Sequence, residues 1–300
     1  MRYRIVALTL LTMTIVWAAK KKNPDDVTQT LELPKDPPMV AAGETSRLVF
    51  QVSPLSNKGL LSQQTRDALK AILKANGGTR VVHIRAFVAG SGDLRRVPQI
   101  VSEVFTEKKM ELPSVSVVQV GALPMEGAQV VLEAASEAKR QVNPEGLTFI
   151  EAESAEALLA RVGSTAPLRV TCFVSDIATA SRVATRFPAA SLNVVQTQRA
   201  AAPAAPQCEA IVRDGSVRAA KLAFTGTQVA FGTDDRAARV AFERLDREMS
   251  AGDVVIGHIY ALSPAIGEMA RKIRSMAVLP VEGVASIDGS FAVDAIAASK

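Results

Sequence analysis

The chain has 300 residues, a formal net charge of +5, 48% hydrophobic and 22% charged residues. That is longer than one average domain and apolar enough to build cores, which excludes an intrinsically disordered chain. Aromatic residues are only 4%, with one Trp and two Tyr, and no basic run exceeds Lys20-Lys21-Lys22; neither a base-stacking platform nor a basic stripe for nucleic acid is present. Two Cys and two His at unrelated positions exclude a Cys/His metal cluster, and no cofactor is expected.

The chain begins with a positive Met1-Arg2-Tyr3-Arg4, an apolar stretch at 5–17, and Val16 and Ala18 at the −3 and −1 places of a small-residue cleavage site. This is the anatomy of a secretory signal peptide over 1–18, too short to span a bilayer comfortably. It predicts a secreted or periplasmic protein without stable membrane association after cleavage. The alternative is an uncleaved N-terminal membrane anchor stopped by Lys20-Lys21-Lys22.

The pattern then alternates. A strand is expected at 47–52, followed by a helix capped by Ser62, with Leu69, Ile72 and Leu73 on one face and an end near Gly77-Gly78. A strand at 81–88 precedes a helix marked by Val97, Ile100, Val101, Val104 and Phe105, and strands at 116–120 and 129–134 close the set. The same β-α-β-α-β-β order returns with strands at 147–150, 168–174, 192–197 and 208–212 and helices at 154–162 and 177–186. It returns again with extended segments at 222–226, 254–260, 281–285 and 291–297 and helices at 234–249 and 266–276. Each set closes on a similar phrase: Leu132-Glu133-Ala134-Ala135, Cys208-Glu209-Ala210-Ile211 and Val293-Asp294-Ala295-Ile296-Ala297. A recurrence of about 80 residues indicates tandem modules at 23–136, a shortened 146–213, and 217–298; the alternative is chance likeness among Ala-rich strands.

These phrases resemble the Rid/YjgF family, the reactive enamine/imine deaminases once labelled translation initiation inhibitors or endoribonucleases. Pro37-Pro38-Met39-Val40-Ala41-Ala42-Gly43 followed by Leu48-Val49-Phe50 resembles the family's opening phrase and first strand. Asp253-Val254-Val255 through Tyr260 resembles its middle strand. Leu112-Pro113-Ser114-Val115-Ser116 and Phe187-Pro188-Ala189-Ala190-Ser191 resemble its Phe-Pro-Ala-Arg-Ser phrase, and the three closing phrases resemble its Glu-Ala-Ile-Ala. The resemblance implies an α+β chorismate-mutase-like fold, a sheet backed by two helices. The family forms trimers with ligand clefts between subunits, so three units in one chain imply an intramolecular pseudo-trimer and a monomeric protein.

The resemblance also carries site residues. The family's carboxylate-gripping Arg falls at Val115, at Ala190 and near Met276 or Ala277, with Arg274 one slipped alignment away. Its Ser-Gly pair becomes Phe50-Gln51 and Thr225-Gly226, and its catalytic Glu becomes Glu133, Glu209 and Asp294. A carboxylate there relays a proton if its pKa is raised, or makes a structural hydrogen bond. Arg85 and His258 occupy matching strand positions from which they line a cleft or serve structure alone. Cys172 and Cys208 permit a disulfide closing a loop of roughly 36 residues, or remain two buried thiols. The function implied is small-metabolite binding in inter-unit clefts with the gripping Arg lost. The alternative is an active enamine/imine deaminase, or a related hydrolase, built on the carboxylates.

Overall fold

The computed structural model describes residues 34–188, 190–199, 207–250 and 252–298; the expected signal segment 1–18 and the Ala/Pro-rich stretch 200–206 lie outside them. The fold is mixed α+β, built from three sheets and six α-helices among these residues. In chain order the first elements are β1 (Val40–Glu44), β2 (Leu48–Val52), α1 (Leu61–Ala75), β3 (Val81–Ala89), α2 (Arg96–Glu107), β4 (Ser114–Val120) and β5 (Val130–Glu137). Then come β6 (Gly146–Ala152), α3 (Ala155–Val162), β7 (Arg169–Val174), α4 (Ala180–Arg186), β8 (Ser191–Gln196) and β9 (Gln207–Asp214). Last are β10 (Lys221–Thr225), β11 (Gln228–Ala230), α5 (Asp235–Glu248), β12 (Asp253–Ala261), α6 (Pro264–Ile273), β13 (Ala277–Pro280), β14 (Gly283–Val284) and β15 (Phe291–Ala298).

The sheets run β14-β4-β3-β5-β2, β6-β9-β7-β8, and β1-β10-β15-β12-β13 with β11 also on β15. In each, a central strand (β3, β7 or β12) pairs parallel with the strand that follows its helix and antiparallel with the closing strand. A parallel partner needs a crossover, which α2, α4 and α6 supply. Leu69, Ile72, Val97, Ile100 and Phe105 of the first two helices pack on Ile84 and Leu132 of the first sheet. Leu158 and Val183 cover Val170 and Val194 of the second sheet, where Cys172 and Cys208, opposite each other on β7 and β9, are joined by a disulfide. Ala241, Phe242 and Leu245 cover Ile259 and Val293 of the third.

The opposite faces meet one another. Phe87, Phe173 and Tyr260, one from each central strand, share a single apolar cluster with Val118, Val195 and Leu279. Burial of both sheet faces explains the near-continuous apolar runs of the central strands.

Several boundaries differ from the sequence reading. Ser62 does not cap α1; the cap position is Leu60, which makes no side-chain cap bond, and Ser62 lies within the helix. The segment 177–186 opens as a 3-10 turn at Ile177–Thr179 before α4. The helix expected over 266–276 ends at Ile273, and the strand expected at 281–285 is shortened to β14 and preceded by β13, which lies beside β12 with Ala277 opposite His258. The apolar stripe of α6 runs on through Met276, so periodicity alone overextends the helix; the open parallel slot beside β12 draws the backbone out. Two short strands cross between the sheets. β1 pairs with β10, and β14 pairs with β4.

Gly226 packs closely between the first and third sheets. Its N–H donates to the Met39 carbonyl at 2.8 Å, and a Cβ on it would lie 2.7 Å from the Val115 carbonyl oxygen. Gly226→Ala therefore forces two backbones apart. The expected cost is about 1–3 kcal/mol in denaturant unfolding, with the fold retained.

Candidate functional site

Side chains alternate across a strand, so the residues between the helix-facing positions of β3, β7 and β12 point into the shared interior. There the cross-strand register sets Arg85 opposite Glu133, Thr171 opposite Glu209 and His258 opposite Asp294. The parallel neighbours at the same level are Ser116, Asn193 and Ala277. The three closing-phrase acids thus converge at one level, all buried.

Glu133 and Glu209 are tied across sheet boundaries, and Asp294 joins them through His258. Glu133 Oε2 accepts from Arg85 Nε at 2.9 Å and Nη2 at 2.7 Å, while Oε1 accepts from Thr171 Oγ1 and Asn193 Nδ2 of the second sheet, both at 2.7 Å. Glu209 accepts from Arg85 Nη2 and pairs with His258 Nε2 of the third sheet at 2.7 Å. Asp294 pairs with His258 Nδ1 at 3.0 Å and accepts from the Tyr260 hydroxyl at 3.1 Å. Arg169 adds contacts at 3.4 Å to Glu133 and 3.5 Å to Glu209. Arg85 also lies over the Phe87 ring, 5.1 Å from its centroid.

Three buried anions therefore face Arg85, Arg169 and His258. Burial opposes the His258 cation, but the Glu209 charge and the bonds from both acids outweigh it and raise its pKa to about 9. Protonated, the ring donates from both nitrogens. Burial likewise opposes the carboxylates. The Arg85 and His258 charges nevertheless hold Glu209 far below the usual range, Arg169 and Arg85 lower Glu133, and the His258 bond lowers Asp294. One turn of the pleat away, His83 lies 2.9 Å from Ser114 Oγ and stacks on Phe224; burial lowers its pKa to about 4 and keeps it neutral.

Of the residues expected from sequence, Glu133, Glu209, Asp294, Arg85 and His258 meet in this network. Thr225 lies at its edge, its hydroxyl accepting from the Ala295 N–H at 2.9 Å, and Gly226 packs on Val115. Arg274 is elsewhere. It leaves the end of α6 in extended conformation, forms a bidentate pair with the exposed Asp246 of α5 at 2.6 and 2.7 Å, and lies over the Phe242 ring. The sheet register also moves the second-unit counterpart of Val115 from Ala190 to Leu192, since Val115 opposes Ile84 and Leu192 opposes Val170. Arg169, Thr171, Asn193 and Tyr260 were not singled out from the sequence. Thr171 is findable as the β7 counterpart of Arg85 and His258 once the three strands are superposed.

The edges of the sheets differ. Between β6–β9 and β12–β13 a cleft of about 350 Å³ has Glu209 and His258 at its floor and Glu151, Arg161, Arg271 and Ser275 along its walls. Between β2–β5 and β8–α4 a cleft of about 480 Å³ is mostly apolar, with Leu55, Val131, Ile177 and Leu192 beside Ser53 and Asn193. At the third junction Gly226 packs on Val115 and Ser116 Oγ lies 3.4 Å from the Thr225 carbonyl.

Residues 51–137 match the model of the family described as Endoribonuclease L-PSP, the YjgF/Rid family. Among solved structures, the chain is similar to a member of the YjgF/YER057c/UK114 family from Mycobacterium tuberculosis, at 29% identity and a TM-score of 0.27, over 31% of this chain and 80% of that one. It is similar to the YjgF gene product of E. coli at 26% identity and a TM-score of 0.26, over 33% of this chain and 87% of that one. A chorismatase structure aligns over 88% of this chain and 80% of its own at 11% identity and a TM-score of 0.45. No curated protein matches.

Removing one partner of a buried ion network leaves the others unpaired. Arg85→Met should cost about 3–5 kcal/mol in denaturant unfolding. The histidines set the pH dependence. The raised pKa of His258 gives stability that is complete below pH 6.5 and lost as pH rises toward about 9. The lowered pKa of His83 gives stability complete above 6.5 and lost as pH falls toward about 4. Unfolding free energy should therefore peak near pH 6.5, and His258→Gln should flatten the alkaline limb.

Proposed function

We propose that the chain is a Rid-like protein of three units, near 37–136, 146–213 and 217–298, closed on one another as an intramolecular pseudo-trimer. In this reading it binds a small metabolite in the cleft between the second and third sheets and does not hydrolyse imines. The observation that carries it is the pairing of all three family-position acids. Each is an ionised carboxylate locked to cations and hydroxyls, and a general acid or base needs a group able to trade a proton near neutral pH. The positions aligned with the gripping Arg are Val115, Leu192 and Met276, which supply no fork for a substrate carboxylate. The equivalent pairs Arg85–Glu133, Thr171–Glu209 and His258–Asp294 support the three-unit reading, and the N-terminal address at 1–18 adds export to it.

Two measurements on the protein lacking residues 1–18 test this. Ammonia release from 2-iminopropanoate generated in situ should not exceed the buffer rate; a faster rate that falls in Glu209→Gln would establish the deaminase instead. Sedimentation should give the mass of one chain. A mass near three chains that persists on dilution would mean that the units do not close internally.

A further inference from the structure

The cleft between the second and third sheets contains one charge that its walls do not balance. β6 and β9 are antiparallel with Glu151 directly opposite Glu209, so two carboxylates stand side by side on one face, an arrangement that is repulsive unless something neutralises it. Glu209 is neutralised by Arg85 and His258. Glu151 is not: its carboxylate makes no hydrogen bond or ion pair among the described residues. The nearby cations are already engaged. Arg161 pairs with Glu153 at 2.8 Å and also donates to the Glu151 carbonyl, and Arg271 pairs with Glu268 at 2.7 Å. Between these charges, Phe173, Met276, Ala277 and Leu279 give the cleft an apolar lining.

A cavity of about 350 Å³ with a partly apolar lining and one unpaired, solvent-exposed carboxylate on its wall suits one kind of guest. We infer that Glu151 is the recognition group of this cleft and that the ligand is a small organic cation, an ammonium or amidinium group carried on a compact apolar body. The cationic group sits against Glu151, while the body fills the space between Phe173 and Met276. This inference rests on the cleft being a ligand site, as proposed above. Partial burial raises the Glu151 pKa, against the opposing His258 and Arg85 charges and with a smaller contribution from Glu209. Binding of a cation should therefore release protons at the acid end of the pH range.

The test uses protein with ¹³C-methyl Met, because Met276 lines the cleft. n-Butylammonium, n-butanol and butyrate are titrated separately and the Met276 methyl resonance is followed. n-Butylammonium should shift it saturably, and Glu151→Gln should weaken that binding about tenfold or more. Glu243→Gln, on the exposed face of α5, should leave it unchanged. A saturable response to butyrate or butanol in preference to the amine, or equal affinity in Glu151→Gln, overturns cation recognition and leaves the cleft as a ligand site. If Met276 responds to none of the three compounds, both the inference and the cleft reading fall.

Discussion

Arg85 lies where the three sheets meet, and its guanidinium binds Glu133 of its own sheet and Glu209 of the next. From Glu209 the connection continues through His258 to Asp294, and from Glu133 through Thr171 and Asn193, so every sheet is held to another by charge. Burying such ions is expensive, and the arrangement is tolerable only when every partner is in place. A strand that slipped by one residue would turn its ion to the helix side and strand the others. The network therefore fixes register, while the apolar layer of Phe87, Phe173 and Tyr260 beside it supplies the hydrophobic burial.

The same pairing also governs what the edges of the sheets can do. Where Asn193 stands beside β7 it completes the Glu133 shell, and the adjoining cleft is left mostly apolar. Where Ala277 stands at the equivalent place beside β12, no side chain fills the space over Glu209 and His258, and the polar cleft opens. At the third junction Gly226 and Ser116 allow the backbones to close. The three sheet junctions thus include one polar cleft, one apolar cleft and one close backbone contact.

Much of this was legible in the sequence. The central strands announce themselves as β-branched runs, and the acids of the closing phrases fall at equivalent strand positions, so their spacing foretells their meeting. The cross-sheet strand β1 was not legible, because five residues carry little periodicity and its partner is remote in sequence; β14 falls in the extended segment expected at 281–285, but its pairing with β4 was not legible. Arg274 was misplaced because the end of α6 is set by an open slot in the sheet, which local pattern does not reveal. Arg169 and Asn193 belong to no motif. They matter only because the sheets bring them to Glu133, and that is a tertiary fact.

His258 is a buried cation shared by Glu209 and Asp294 at neutral pH. Side-chain ¹⁵N NMR of the full chain with labelled histidine measures this directly. Both ring nitrogens of His258 should be protonated at pH 7 and the ring should titrate only near pH 9. A neutral tautomer at pH 7, titrating near the ordinary value of about 6.5, would contradict it.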